Sequence, residues 1–313
     1  MSTSAAFDSA AVATVTVTFN PDMGLLRTQL DALPRESVKL VVDNASQPEV
    51  LRDIESLVAL TPIARLLRND RNLGLAAAVN RGVRAVRDAA STARFVLLLD
   101  QDSEPAHGSI EALVTGFVAL QASDERVGCV GPTLLDVATG LTHGFHQCTR
   151  WRWKRVYPAP GASEPVPCAN LNGSGTLVPV DLFLDLGGLE DDLFIDHVDT
   201  EWAFRVLAHG YSLFGIPQAV FRHRMGDASQ RIWLFGWRVW PVRSPRRHYF
   251  LYRNAAMLMR RNYVPRVWKV WAMLKLGMTA LVMLMTGPRR FAQLRNMTAT
   301  LIDAAHMRRE ALP

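Results

Sequence analysis

Two carboxylates follow a short apolar run in the first half of the chain. The run covers residues 95–99, and Asp100 and Asp102 stand one residue apart directly after it. Such a run predicts a buried parallel strand, and alternation along an extended chain puts both carboxylates on one side. Two carboxylate oxygens can hold one hard divalent cation that keeps phosphate oxygens in its shell. The spacing therefore predicts a metal–diphosphate site, and the alternative is a strand that ends in a polar turn.

A second group of acids lies at the start of a helix predicted from Val198 onward. Asp196, Asp199 and Glu201 fall within about one turn. Carboxylates near a helix N-terminus are favoured by the helix dipole, which accounts for one of them. Three acids in one turn repel each other unless a cation or a proton relieves them. The segment therefore predicts catalysis or metal contact.

Two further polar positions fit an anionic ligand. His223 follows an apolar strand and lies between two arginines, so a metal or diphosphate contact and a purely structural role both stay open. Asn72 and Gly74 precede a helix predicted over residues 75–87. A glycine there lets backbone N–H groups approach an anion, and the alternative is a simple capping turn.

The opening third of the chain alternates strand and helix patterns, and it must position these residues. Apolar runs with polar ends predict strands, each followed by a helix, over residues 11–19, 38–42, 63–67 and 95–99. The second strand ends in Asp43 and Asn44, so polar groups follow two strands of one sheet. Ligands bind at the carboxyl ends of strands in open α/β sheets. Weaker patterns predict further elements, a helix over 110–120 and strand pieces over 127–131, 211–214 and 219–221.

The composition describes a folded and basic protein. The 313 residues are 49% hydrophobic and 20% charged, with a net charge of +6 that is concentrated after Trp233. Basic surface among tryptophans suits an anionic membrane or a nucleic acid. Cys129, Cys148 and Cys168 fit neither a disulfide framework nor a metal-ligand spacing, which favours a reducing compartment. The polar segment Met1–Ala11 predicts no secretory signal.

The segment of residues 268–285 is nearly apolar but contains Lys269 and Lys275. Its uncharged run, residues 276–285, is too short to cross a bilayer. Flanking arginines and tryptophans are expected of an interface anchor, so the segment predicts an in-plane or re-entrant helix, with a buried helix as the alternative. The basic cluster of residues 150–155 predicts an exposed edge, and we expect no nucleic-acid partner.

Four stretches together carry a resemblance to a known family: residues 97–105 (LLLDQDSEP), residues 193–202 (LFIDHVDTEW), the neighbourhood of His223, and residues 246–254 (RRHYFLYRN). Over about residues 12–263 the chain resembles family 2 nucleotide-sugar glycosyltransferases, and more narrowly the bacterial rhamnosyltransferases. The resemblance implies an α/β GT-A fold with a mixed central sheet flanked by helices. Residues 12–263 would form this domain, and residues 264–313 a helical, membrane-associated segment.

The resemblance also implies roles for individual residues. Asp43 would form a hydrogen bond with the pyrimidine base of the nucleotide, in a pocket lined by Asn20 and Asn72. Asp100 and Asp102 would hold Mg²⁺ or Mn²⁺ on the diphosphate, with His223 completing the shell. The implied nucleotide-binding set is Asn20, Asp43, Asn44, Asn72, Gly74 and Asp100.

The general base would come from the segment that holds Asp196 and Asp199. Many relatives carry Glu-Asp in this segment. The register that aligns Asp196 with their glutamate puts His197 where their aspartate stands, so the base stays open between Asp196 and Asp199, with His197 as a further alternative.

The resemblance, with these roles, implies an inverting transferase. It would move L-rhamnose from dTDP-L-rhamnose to a glycolipid or lipid-linked saccharide, for rhamnolipid, O-antigen or exopolysaccharide synthesis. It would work peripherally on the cytoplasmic face of the bacterial inner membrane. The alternatives are a family 2 transferase that uses a UDP- or GDP-sugar, and a non-catalytic scaffold that keeps the fold.

Overall fold

The computed structural model describes most of the chain. The described residues are 7–89, 92–137, 139–223, 229–233, 237–241, 244–286 and single positions between 295 and 300. The part of the predicted helical segment 264–313 that follows residue 300 lies outside the described residues.

Fourteen strands are described, and most of them build one central sheet. In chain order they are β1 (Val12–Thr18), β2 (Lys39–Asp43), β3 (Ala64–Arg68), β4 (Phe95–Asp100), β5 (Glu104–Pro105), β6 (Val127–Asp136), β7 (Thr142–His143), β8 (Phe145–Cys148), β9 (Trp153–Val156), β10 (Val166–Cys168), β11 (Leu177–Pro179), β12 (Ser212–His223), β13 (Ser229–Trp233) and β14 (Trp237–Pro241).

Eight α-helices are described, and they cover both faces of the sheet. They are α1 (Met23–Ala32), α2 (Pro48–Leu60), α3 (Leu75–Asp88), α4 (Ser109–Ala122), α5 (Val180–Asp185), α6 (Val198–Ala208), α7 (Pro245–Arg260) and α8 (Arg266–Thr286). Short 3₁₀ helices occur at Ser9–Ala11 and Asp191–Leu193.

The sheet order explains why the polar strand ends meet. The order is β10-β12-β6-β11-β4-β1-β2-β3, and β11 runs antiparallel to both of its neighbours. The strands β1 to β4 are parallel where they pair, and β6 and β12 are parallel to each other. Because β11 reverses direction between β4 and β6, all six long strands point the same way. Their carboxyl ends, which include Asp43, Asp100 and His223, therefore lie at one edge of the sheet.

The last long strand, β12, is predicted as two pieces but forms one strand with an irregular middle. Ile216 pairs with Pro132 and Val220 with Thr133, so extra residues on β12 bulge out between the two pairs. Pro217, inside this bulge, has no N–H to donate to a neighbouring strand, so it is tolerated where the ladder is already broken.

The short strand β5 brings β12 to the acidic pair. β5 follows Asp102 closely and pairs antiparallel with the end of β12, Arg222 opposite Glu104. An ion pair between these two side chains, at 2.8 Å, supports the pairing. This crossing carries His223 next to Asp102, although β12 and β4 are not neighbours in the sheet.

Two apolar cores hold the helices on the sheet. One core packs α1, α2 and α4 against one face of the sheet. The other core packs α3, α5, α6, α7 and α8 against the opposite face. Trp268 on α8 lies edge-on to Phe204 on α6, with ring centroids 5.6 Å apart, and belongs to the second core. The division into residues 12–263 and 264–313 stays a prediction.

Candidate active site

The acidic pair and the histidine form one cluster at the carboxyl edge of the sheet. Ligand atoms of Asp100, Asp102 and His223 lie within 4.8 Å of one another. His223 Nδ1 is 3.3 Å from Asp102 Oδ1 and 3.2 Å from Ser103 Oγ. These three residues come from two strand ends that only the fold brings together.

The electrostatics of this cluster fit a divalent cation. Burial raises the pKa of Asp100, and the charge of Asp102 adds to this, against the lowering effect of His223 and Arg247. Burial lowers the pKa of His223, but the hydrogen bond and charge of Asp102 outweigh it, so the net shift is upward. Both shifts favour proton uptake, as expected of repelling carboxylates that a cation would neutralise. Two carboxylates and an imidazole suit Mg²⁺ or Mn²⁺.

A buried glutamine holds the loop that carries the acidic pair. Gln29 Nε2, on α1, donates to the carbonyl oxygens of Asp100 and Ser103, each at 2.6 Å. Its Oε1 accepts from Thr16 Oγ1 at 3.0 Å, and the side chain is fully buried. Gln29 therefore positions the metal-site loop through its backbone carbonyls, and it makes no hydrogen bond to the side chains of Asp100 and Asp102.

Asp199, in the second acidic group, lies near enough to this cluster for the charge of Asp100 to raise its pKa. Burial raises its pKa to about 6, and the charges of Asp100 and Asp196 act in the same direction. Hydrogen bonds from the backbone N–H groups of Thr200 and Gly173 oppose the shift. A carboxylate with a raised pKa beside a predicted metal site is suited to accept a proton near neutral pH.

Glu201 has a structural explanation. It is fully buried, and its carboxylate forms ion pairs with Arg205 Nη2 at 2.8 Å and Arg261 Nη1 at 3.4 Å. Tyr263 OH donates a hydrogen bond to the same carboxylate at 2.6 Å. This network ties α6 to the chain after α7. The three acids therefore divide into one structural residue, Glu201, and two at the site.

Asp196 lies in a loop with unusual backbone angles and forms an ion pair with an arginine. Its Oδ2 lies 3.3 Å from Arg247 Nε on α7. Phe194, Asp196 and His197 all have positive φ, near 61°. At Phe194, ψ is −63° and the N–H of Ile195 donates to the carbonyl of Leu193 at 2.6 Å, which is a γ-turn of the rare, strained kind. Such conformations persist where surrounding contacts hold them, often at functional sites.

The contacts that hold this loop come from a buried asparagine on α7. Asn254 Nδ2 lies within 2.7–2.8 Å of three carbonyl oxygens, those of Leu193, Ile195 and Asp196. Its Oδ1 accepts from Arg253 Nε at 3.0 Å, and Arg253 Nη2 in turn donates to the carbonyl of Asp192. Asn254 is fully buried. The Arg253-Asn254 pair therefore clamps the loop that leads into Asp199.

We expect Asn254→Ala to misplace this loop. The substitution leaves backbone carbonyls without their donor, which costs about 1–3 kcal/mol of stability. Loss of alignment should lower kcat of the predicted sugar transfer roughly 10- to 100-fold, with KM for the predicted nucleotide-sugar donor unchanged. Asn262→Ala, at an exposed asparagine just after α7, is the matched control. A folded Asn254→Ala protein with wild-type kcat would contradict the clamp.

Two predicted nucleotide-binding residues meet around one serine. Asp43 accepts hydrogen bonds from Thr18 Oγ1 at 3.1 Å and from the N–H of Ser46 at 2.9 Å. The N–H of Asn20 donates to Ser46 Oγ at 2.8 Å. The ends of β1 and β2 thus bring Asn20 and Asp43 together, and their contact with a base stays a prediction.

The other predicted nucleotide residues brace a loop between β3 and α3. Asn44 Oδ1 accepts from the N–H of Leu73 at 2.9 Å, and its Nδ2 donates to Asn72 Oδ1 at 3.0 Å. The N–H of Gly74 donates to Asn72 Oδ1 at 2.9 Å, which is an Asx turn directly before α3. Asn44, Asn72 and Gly74 are therefore brought together, and their contact with an anion stays a prediction.

Gly74 is required for the close approach of two loops. Its φ is 88°, and a Cβ there would lie 2.6–2.8 Å from atoms of Phe194. The N–H of Leu75 donates to the carbonyl of Phe194 at 2.6 Å. The loop braced by Asn44 is therefore joined to the strained loop that leads to Asp199.

Comparisons with known proteins agree with this architecture. The model of the family described as "Glycosyl transferase family 2" matches residues 37–155. The dTDP-rhamnosyl transferase RfbF of Shigella flexneri is 30% identical over 258 residues, which are 80% of each chain.

Two solved structures share the fold at 18% identity. One is GalNAc-T7 with UDP, GalNAc and Mn²⁺, with a TM-score of 0.56 over 89% of this chain and 58% of that one. The chain thus spans less than two thirds of that protein. The other is the mannosyltransferase PcManGT from Pyrobaculum calidifontis with GDP-Man and Mn²⁺, with a TM-score of 0.54 over 94% of this chain and 86% of that one. The fold is the mixed α/β GT-A fold, and the chain belongs to glycosyl transferase family 2.

Proposed function

We propose that this glycosyltransferase moves L-rhamnose from dTDP-L-rhamnose to a glycolipid or lipid-linked saccharide, with inversion at the anomeric carbon. The observation that supports dTDP-L-rhamnose as the donor is the 30% identity, over four fifths of the chain, to a dTDP-rhamnosyl transferase. The site supports the chemistry because a candidate cation cluster and a carboxylate of raised pKa lie at one sheet edge.

Asp100, Asp102 and His223 would hold the divalent cation, Mg²⁺ or Mn²⁺. Both structural relatives contain Mn²⁺, which supports a metal of this class. When bound, the cation supplies Lewis-acid stabilisation of charge on the departing nucleoside diphosphate. Gln29 keeps the loop of the two aspartates in place for this role.

Asp199 is the general base of the proposed reaction. Its carboxylate takes the proton of the acceptor hydroxyl while that oxygen attacks the anomeric carbon from the face opposite the diphosphate. A single displacement of this kind inverts the anomeric centre. Asp196 fits the role less well, because its carboxylate faces the guanidinium of Arg247.

We also propose that Arg247 contacts the diphosphate. It pairs with Asp196, and its charge also lowers the pKa of Asp100. A guanidinium next to the candidate cation cluster can receive phosphate oxygens in a bidentate arrangement. In this proposal Arg247 shares the diphosphate with the cation, and Asp196 orients the guanidinium.

A donor panel tests the proposal. Purified protein with Mn²⁺ and a bacterial lipid extract would be given radiolabelled dTDP-L-rhamnose, UDP-glucose or GDP-mannose in parallel. We expect label from dTDP-L-rhamnose to enter the lipid phase at least about tenfold faster than label from the other donors. Asp199→Asn protein serves as the inactive control.

The other outcomes of this panel point to different functions. Faster transfer from the UDP- or GDP-sugar would overturn the rhamnose donor and keep the family. No transfer and no nucleotide binding by folded protein would support a non-catalytic scaffold. Label that enters a water-soluble saccharide instead of the lipid phase would overturn the lipid-linked acceptor.

A further inference from the structure

One face of α8 is apolar and open to solvent. We call it the outer stripe, and its members are between 45% and 71% exposed: Val270, Trp271, Met273, Leu274, Met278, Leu281 and Met285. Residues Arg266–Met285 are long and apolar enough to cross a membrane by length and composition, yet less than a quarter of the stretch is buried. Contiguous exposed apolar surface of this kind marks an interaction site.

The opposite face of α8 fixes how the helix lies. Trp268, Ala272, Thr279 and Met283 are buried and recur at helical spacing along its length. Tyr252 OH donates to the carbonyl of Leu276 at 2.6 Å, in the middle of the helix. A helix attached to its own domain along one side cannot cross a bilayer without taking the domain with it. It can lie in the plane of a surface with its other side inserted.

The charge of the surrounding chain selects the kind of surface. No aspartate or glutamate occurs between Asp227 and Asp303, and this stretch holds fourteen arginines and lysines. The rest of the chain has more acidic than basic residues. Arg260, Arg266 and Lys275 are exposed on or next to α8. Clustered cations beside an apolar stripe complement anionic lipid headgroups.

We propose that the outer stripe of α8 docks this enzyme in the plane of an anionic membrane. The buried end of α8 touches the catalytic region, because the Trp268 ring lies edge-on to His197, 5.6 Å between centroids. His197 adjoins Asp196 and stands two residues before Asp199. Docking therefore puts the bilayer beside the strained loop that leads to Asp199. An acceptor can react there while its lipid part stays in the membrane. The docking itself does not depend on which sugar is transferred.

Vesicle binding of the full chain tests the proposal. The variant is the double substitution Leu274→Glu with Leu281→Glu, and the matched control is Leu60→Glu, an exposed leucine at the end of α2. We expect wild type and control to sediment with phosphatidylglycerol-containing vesicles and far less with pure phosphatidylcholine vesicles. The double variant should bind at least about tenfold more weakly, with unchanged dTDP binding.

Other occupants of the stripe would give different results. Equal sedimentation of the double variant and wild type would overturn the proposal. If wild type does not bind vesicles but forms dimers, and the double substitution converts them to monomers, the stripe is an interface with a second copy of the chain. Equal binding to neutral and anionic vesicles would overturn the part played by the basic residues.

Discussion

Replacing Asp199 by asparagine is expected to lower kcat of transfer by about 10²- to 10⁴-fold, the contribution of a positioned general base. The amide keeps the size of the side chain and its acceptance of the N–H of Thr200, which is at 2.8 Å in the wild type. The Kd for dTDP should stay unchanged, because the side chain is expected to act on the acceptor. Transfer rates and calorimetric dTDP binding, measured on the same protein, separate these two effects.

The pH profile distinguishes Asp199 from Asp196 as the base. A base must be deprotonated to act, and the pKa of Asp199 is raised to about 6, so kcat/KM should fall as the pH drops through about 6. The charge of Asp196 contributes to this raised pKa. Asp196→Asn should therefore stay active and move the acid limb to lower pH. A larger loss of activity in Asp196→Asn than in Asp199→Asn would contradict the assignment.

The second large effect is expected at Asp100. Asp100→Asn removes one carboxylate ligand of the candidate cation site and should weaken Mn²⁺ binding by about 100-fold or more. Loss of a residue that only orients a metal ligand already costs about 10- to 100-fold in metal affinity. Electron paramagnetic resonance of free Mn²⁺ during a titration measures this directly. Asp53→Asn, at an exposed aspartate on α2, is the matched control.

Thermal unfolding separates loss of the ligand from damage to the fold. Burial and the charge of Asp102 raise the pKa of Asp100, so its ionised form is unfavourable in the folded protein without a cation. Metal-free Asp100→Asn should therefore melt at the same temperature as wild type or higher. The rise in Tm that Mn²⁺ gives wild type should be absent. A lower metal-free Tm with intact Mn²⁺ binding would contradict the role of Asp100.

The features that could be predicted from sequence are those encoded locally. The apolar run before Asp100 and the β-branched run before Asn20 are strands in the structure, and α6 begins at Val198 as predicted. Because parallel strands end at one edge, the meeting of Asp43 with the metal-site edge followed from these patterns. The polar ends of the strands therefore carried most of the site.

The roles of the buried amides that hold the site could not be predicted from sequence, although Asn254 ends one of the four stretches that carry the family resemblance. Gln29 and Asn254 look like ordinary polar residues of amphipathic helices, yet they bond carbonyls 58 to 74 residues away. Such contacts exist only after the helices pack on the sheet. Likewise Glu201 reads as a catalytic candidate until its buried partners Arg205 and Arg261 are seen.

The strands of the excursion between β6 and β11 could not be predicted from the sequence pattern. Its short strands, β7 to β10, have two to four residues each, too few for a periodic signal. The basic cluster predicted as an exposed edge lies at the turn and second strand of the β8–β9 hairpin, and Trp151 there is 75% exposed.

The most direct test of the central claim is a calorimetric titration of dTDP, with UDP as comparison, into wild-type protein with and without Mn²⁺. The account predicts binding that requires Mn²⁺, favours dTDP over UDP, and is lost in Asp100→Asn. Binding of dTDP to wild type that is equally tight without any divalent cation would contradict it.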